Sequence, residues 1–190
     1  MIRIQSGLFK GMSLPFLPDP KTRPTTQKVR EALLNSLGES LFHASFLDLF
    51  SGSGAVGVEA ASRGAREVVL VEKDRKVALP LENFLKTDQR IQKARIQLLR
   101  EDCLSFVRRF EGEPFDIVFM DPPYEYPDWE ELLRCLASSG IVQKQESVIV
   151  LEYYHRDDPS GLVSQFFPGR QIRITSYGES RILFARNVNP

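Results

Sequence analysis

The sequence predicts an α/β fold: a seven-stranded, mostly parallel sheet with helices on both faces and an antiparallel last strand. Three observations predict it. From Phe46 onward, short apolar runs alternate with stretches of helical spacing, the pattern of successive βα units. The first apolar run, Phe46–Phe50, breaks into Ser51-Gly52-Ser53-Gly54 and re-enters directly as a helix-like stretch of small apolar residues. After five such strands the chain closes on two β-rich runs around Gly178-Glu179, which read as a hairpin.

Taken in order, residues 2–17 alternate weakly around Gly7 and Gly11 and suit a short β-hairpin. Pro15, Pro18, Pro20 and Pro24 then stiffen an extended connection. Thr25 or Thr26 can cap the next helix, whose apolar positions are Val29, Ala32, Leu33, Ser36 and Leu37, leaving Lys28, Arg30 and Glu31 towards solvent. Gly38 stops it. Strand one is 46–50 and its helix runs from Ala55 to Arg63, ended by Gly64. Strand two is 67–72, and Asp74 caps a helix to Lys86 that Pro80 should kink or shorten. Strands at 95–99, 115–120 and 147–153 follow, with helices at 104–110 and 129–138 and a short helix or loop at 159–167. The hairpin spans 171–177 and 181–186. One domain is expected over 1–190, with residues 1–38 as an N-terminal hairpin-and-helix extension and 39–190 as the core.

Composition narrows the class. A hydrophobic content of 42% with 26% charged residues is ordinary for a globular protein, and no apolar run approaches the ~20 residues a bilayer helix needs. The start, MIRIQSGLFKG, lacks the apolar core of a signal peptide, so a cytoplasmic location is expected. Cys103 and Cys135 are far apart and read as buried free thiols, and His43 and His155 are isolated, so no metal site is expected. Acids and bases balance at 25 each, yet the first thirty residues carry Arg3, Lys10, Lys21, Arg23, Lys28 and Arg30 against Asp19 alone. That asymmetry suits a polyanionic partner.

The chemistry gathers at the ends of the strands. Gly52 and Gly54 let a ligand approach the backbone, and the helix that follows presents unpaired N–H groups. Glu72 ends an apolar strand, where two ribose hydroxyls would satisfy its oxygens. Asp102 can cap the next helix, accept from an adenine amine, or do both. Asp121-Pro122-Pro123-Tyr124 is the most specific feature. Two prolines remove two N–H donors, leaving the Asp121 carboxylate and the Pro122 carbonyl as acceptors beside an aromatic plane. An exocyclic amine on a base is the complement: it donates twice and belongs to a ring that Tyr124 can stack on.

The pairing of DLFSGSG with DPPY resembles the S-adenosylmethionine-dependent amino-methyltransferases that act on bases. With IRIQSGLFKGMSL, RPTTQKVREALLNSL, FLDLFSGSGAVGVEAASRGAREVVLVEKD and FDIVFMDPPYE, nearly the whole chain is similar to the RsmD family of bacterial 16S ribosomal RNA guanine-N2 methyltransferases. The resemblance implies a Rossmann-like class I methyltransferase. Its cofactor would be S-adenosylmethionine, held by Asp48, Phe50, Ser51, Gly52, Gly54, Glu72, Lys73, Asp102 and Cys103. The target guanine, flipped from its RNA, would meet Asp121, Pro122, Pro123 and Tyr124. Lys10, Arg23, Thr25, Thr26 and Arg30 would meet RNA. It implies ribosomal RNA or the small subunit as substrate, while transfer from a sulfonium needs no metal. No coiled-coil or obligate dimer seam is visible in the sequence, so a monomer is expected.

Three other readings stay open on the sequence. An adenine-N6 DNA methyltransferase shares DPPY but usually carries a sizeable target-recognition region. An NAD-dependent oxidoreductase would use GSGAVG and Glu72 and leaves DPPY unexplained. A non-catalytic RNA-binding assembly factor is the third.

Overall fold

The computed structural model describes residues 1–15, 26–124 and 126–187. Strands β1 (Ile2–Arg3) and β2 (Ser13–Leu14) pair antiparallel as the N-terminal hairpin. Helix α1 (Gln27–Leu37) is capped by Thr26, whose hydroxyl accepts from the Val29 N–H at 3.3 Å. It ends at Gly38, which has φ +53° and opens a short 3-10 turn to Leu41.

The βα units then follow: β3 (Ser45–Asp48), α2 (Ala55–Ser62), β4 (Glu67–Val71), α3 (Arg75–Leu85), α4 (Gln89–Lys93), β5 (Arg95–Leu99), α5 (Cys103–Arg108), β6 (Ile117–Met120), α6 (Trp129–Ser138), β7 (Val148–Tyr154) and α7 (Ser160–Phe166). The hairpin β8 (Arg170–Tyr177) and β9 (Ser180–Asn187) closes the sheet. Helix α3 runs unbroken through Pro80, so that residue neither shortens nor ends it. Helix α4 has no counterpart among the expected elements; its Asp88 cap accepts from the Arg90 N–H, and one apolar residue, Ile91, anchors it.

Seven strands lie in the order β5-β4-β3-β6-β7-β9-β8. Neighbours from β5 to β7 are parallel, and β9 runs antiparallel to both β7 and β8. Two cores result. One face packs the N-terminal hairpin, α1, α2, α3 and α4 around residues such as Phe9, Leu33, Val58 and Leu81. The other packs α5, α6 and α7 around Phe106, Leu132 and Val163. Gly57 sets the closeness of the first layer: a Cβ there would stand 2.2 Å from a Leu70 methyl on β4.

The N-terminal hairpin is built into this first core. Ile4, Phe9 and Leu14 are buried, and the Leu8 N–H donates to the Ser62 carbonyl at 2.8 Å. The Ser62 hydroxyl, at the end of α2, accepts from the Phe9 N–H and donates to the Ser6 carbonyl. Gly7, at φ +78°, permits the approach, since its Cβ would overlap the Ser62 backbone.

Candidate active site

The chain runs outward from β3 to β5 and returns to β6 beside β3. This reversal of strand order opens a crevice at the carboxyl ends of the strands. A cleft of about 890 Å³ lies there, large enough for a cofactor with part of a substrate.

The Gly-rich turn forms one wall. The Ser51 N–H donates to the Val71 carbonyl and the Gly54 N–H to the Ser51 carbonyl, which fixes the loop between β3 and α2. Gly52 adopts φ +50°, and a Cβ at that position would project into open space within the cleft. The Ser51 hydroxyl is buried with no hydrogen-bond partner among the described residues. Asp48 ends β3 fully buried, its Oδ1 accepting from the Phe50 N–H at 3.3 Å. Burial, with a smaller contribution from the nearby Glu72 charge, pushes its carboxyl up to about 8.

Glu72 follows β4. One oxygen accepts from the Gly52 N–H and the other from the Asp74 N–H, each at 2.8 Å. Both oxygens are therefore already engaged by backbone N–H groups. Each keeps one acceptor position. Burial raises its pKa. Asp102 follows β5 and caps α5, its Oδ1 accepting from the Leu104 and Ser105 N–H groups, while Oδ2 lies 3.9 Å from the Lys73 ammonium. Cys103 is buried in the same wall, 3.7 Å from the Tyr126 hydroxyl, and burial pushes its thiol up to about 11. Cys103 and Cys135 are both free and buried.

Asp121, Pro122, Pro123 and Tyr124 leave β6, the strand beside β3, and line the same cleft. Tyr124 is 46% exposed and meets Tyr154 edge-on, with ring centroids 5.4 Å apart. Tyr126 stands edge-on to both Phe50 and Trp129. The end of β7 adds Glu152 and Tyr154 to the lining, and sequence reasoning missed both. The available signal was Glu152 itself, an acid that interrupts the apolar run of a central strand.

The predicted RNA-contacting residues separate. Lys10 and Thr26 are exposed, whereas Arg23 and Thr25 lie outside the described residues. Arg30 is corrected. Its guanidinium is 1% exposed, pairs with the fully buried Glu59 at 2.8 Å and donates to the Arg3 carbonyl. It clamps α1 to α2 and the hairpin and has no surface to offer a phosphate. No group of three potential metal ligands occurs among the described residues, nor does any helix long and apolar enough to cross a membrane.

Open cleft around Gly52, an unpartnered Ser51 hydroxyl and acids at the ends of β3, β4 and β5 fit a nucleoside with a charged tail. With this strand order they define a class I S-adenosylmethionine-dependent methyltransferase. A family model described as conserved hypothetical protein 95 matches residues 2–186. Ribosomal RNA small subunit methyltransferase D of Escherichia coli K12 is 37% identical over 149 residues, covering 78% of this chain and 73% of its own length. The solved structure of Escherichia coli yhhF superposes with a TM-score of 0.82 at 33% identity, covering 99% of both chains. The 16S rRNA N2 G1207 methyltransferase of Thermus thermophilus, solved with S-adenosylmethionine and guanosine, shares the fold. Its TM-score is 0.68 at 24% identity, over 89% of this chain and 44% of that one. The chain belongs to the family of ribosomal RNA small subunit methyltransferase D, the RsmD family.

Proposed function

We propose that this protein transfers a methyl group from S-adenosylmethionine to the exocyclic N2 amine of a guanine in small-subunit ribosomal RNA. The observation that carries the reading is that Asp121-Pro122-Pro123-Tyr124 and the Gly-rich turn line one cleft. The family relationship supports it.

S-adenosylmethionine, when bound, supplies an electrophilic methyl on a sulfonium. This chain's residues supply the rest. Asp48, Ser51 and the loop through Gly52 would hold the charged methionine end, Glu72 the ribose and Asp102 the adenine, with Phe50, Gly54, Lys73 and Cys103 completing the walls. Asp121 and the Pro122 carbonyl would accept from the target amine. Those bonds would orient the amine and favour an sp³ nitrogen with its lone pair free to attack. Asp121 would stabilise the positive charge that develops on the nitrogen as it takes up the methyl group, until one amine proton leaves to solvent, with S-adenosylhomocysteine as the leaving group. Tyr124 would stack on the flipped base, and Pro123 holds the loop stiff. Lys10, with Arg23, Thr25 and Thr26, would reach RNA phosphates.

Asp121→Ala is expected to cut methyl transfer by about 10²–10³-fold while S-adenosylmethionine affinity stays within a few-fold. Wild-type turnover in that variant would remove Asp121 from the mechanism.

A further inference from the structure

The catalytic Asp-Pro-Pro-Tyr segment explains how an amine is held, but not how guanine is told from other bases that carry one. The end of β7 supplies a second acid at the same place. Val148 and Val150 belong to the core beneath α1 and α2, and Ile149 and Leu151 to the opposite core. Strand alternation therefore puts Glu152 on the first face. Its cross-strand neighbour Ile182 agrees, since it is buried in that same core. On β6, Phe119 belongs to the first core and Met120 to the second. Met120 pairs with Leu151 in the parallel register, so Asp121 and Glu152 are the next residues along two adjacent strands. Both line the cleft, and Glu152 is only 6% exposed.

Guanine presents two neighbouring donors on its Watson–Crick edge, the N1–H and the N2 amine. Adenine presents an amine beside a bare N1 acceptor, which a carboxylate would repel. Two adjacent acids match the first edge and penalise the second. We propose that Glu152 is the residue that selects guanine, accepting from N1–H while Asp121 accepts from the reacting N2 amine. The proposal rests on the guanine reading above and adds the group that enforces it. The hydrogen bond at N1 also pushes electron density towards N2, so Glu152 aids the nucleophile it selects.

The test uses small ribosomal subunits reconstituted with RNA carrying either guanine or 2-aminopurine at the methylated position. The analogue keeps the 2-amine and replaces N1–H with a bare nitrogen. Wild-type protein is expected to use 2-aminopurine at least ~100-fold less efficiently in kcat/KM, because a site built to accept one hydrogen bond rejects its absence strongly. Glu152→Gln offers either an acceptor or a donor. It is expected to lose about tenfold on guanine, gain on 2-aminopurine, and shrink the discrimination at least ~30-fold with S-adenosylmethionine affinity unchanged. A merely structural role would slow both bases alike, and unchanged discrimination in the variant overturns the proposal. Equal use of the two bases by wild-type protein overturns it without any variant. In that case methylation itself stands, whereas absence of N2-methylguanine in wild-type reactions would overturn the functional reading along with it.

Discussion

Asp48 carries a charge problem that a cationic ligand would solve. The native carboxyl holds its proton up to about pH 8, whereas an exposed aspartate releases it near 3.8. Between those values the unfolded chain binds fewer protons than the native one, so this residue's contribution to stability falls as pH rises from about 4 to about 8. Asp48→Asn removes the titration. The melting temperature of the variant relative to wild-type protein, both without cofactor, should climb between pH 5 and pH 8, as read by scanning calorimetry. A difference independent of pH would show that Asp48 ionises freely in the fold. The same residue predicts that S-adenosylmethionine binding tightens towards pH 8 in wild-type protein as the carboxylate forms, and that Asp48→Asn flattens this trend in calorimetric titration.

At the scale of elements, the buried pair of Arg30 and Glu59 joins three pieces of chain: α1, α2 and the N-terminal hairpin. Glu59 also accepts from Arg63 at 2.9 Å, so Arg30→Ala leaves it partly compensated. Breaking a buried pair costs about 3–5 kcal/mol, and the remaining Arg63 contact puts the expected loss near the lower end, about 3 kcal/mol. In a chain of this size that lowers the melting temperature by roughly 6–12 °C. RNA affinity and its salt dependence, measured where the variant is folded, should not change; a shallower salt slope would return Arg30 to the phosphate-binding surface. The pair was legible in principle. Arg30, Leu33, Leu34 and Leu37 follow i, i+3, i+4, i+7 spacing, and Glu59 stands alone in the apolar run AVGVEAAS. Reading the stripe through Val29, Ala32 and Ser36 instead rotated the helix by about one position and sent Arg30 to solvent. The hairpin's attachment was not legible, because it depends on Gly7 meeting the Ser62 backbone 55 residues later in the chain.

At the scale of the molecule, alternating βα patterns and the final hairpin were enough to predict the sheet, because each strand carries its own periodic signal. The Gly-rich turn and Asp-Pro-Pro-Tyr were equally plain, since their chemistry is local in sequence. What escaped was set by lateral packing. Glu152 becomes a neighbour of Asp121 only when β7 aligns with β6, and α4 is a single short turn held by one buried isoleucine. Together the elements put acids from five strand ends around one cleft, which is the arrangement the methyl-transfer account requires. The measurement that tests it most directly is transfer of tritiated methyl from S-adenosylmethionine to small ribosomal subunits, free ribosomal RNA and duplex DNA, followed by nucleoside analysis. The account predicts label in N2-methylguanosine from the subunits or the RNA. Label in methyladenine from DNA, or no label in any nucleic acid, would contradict it.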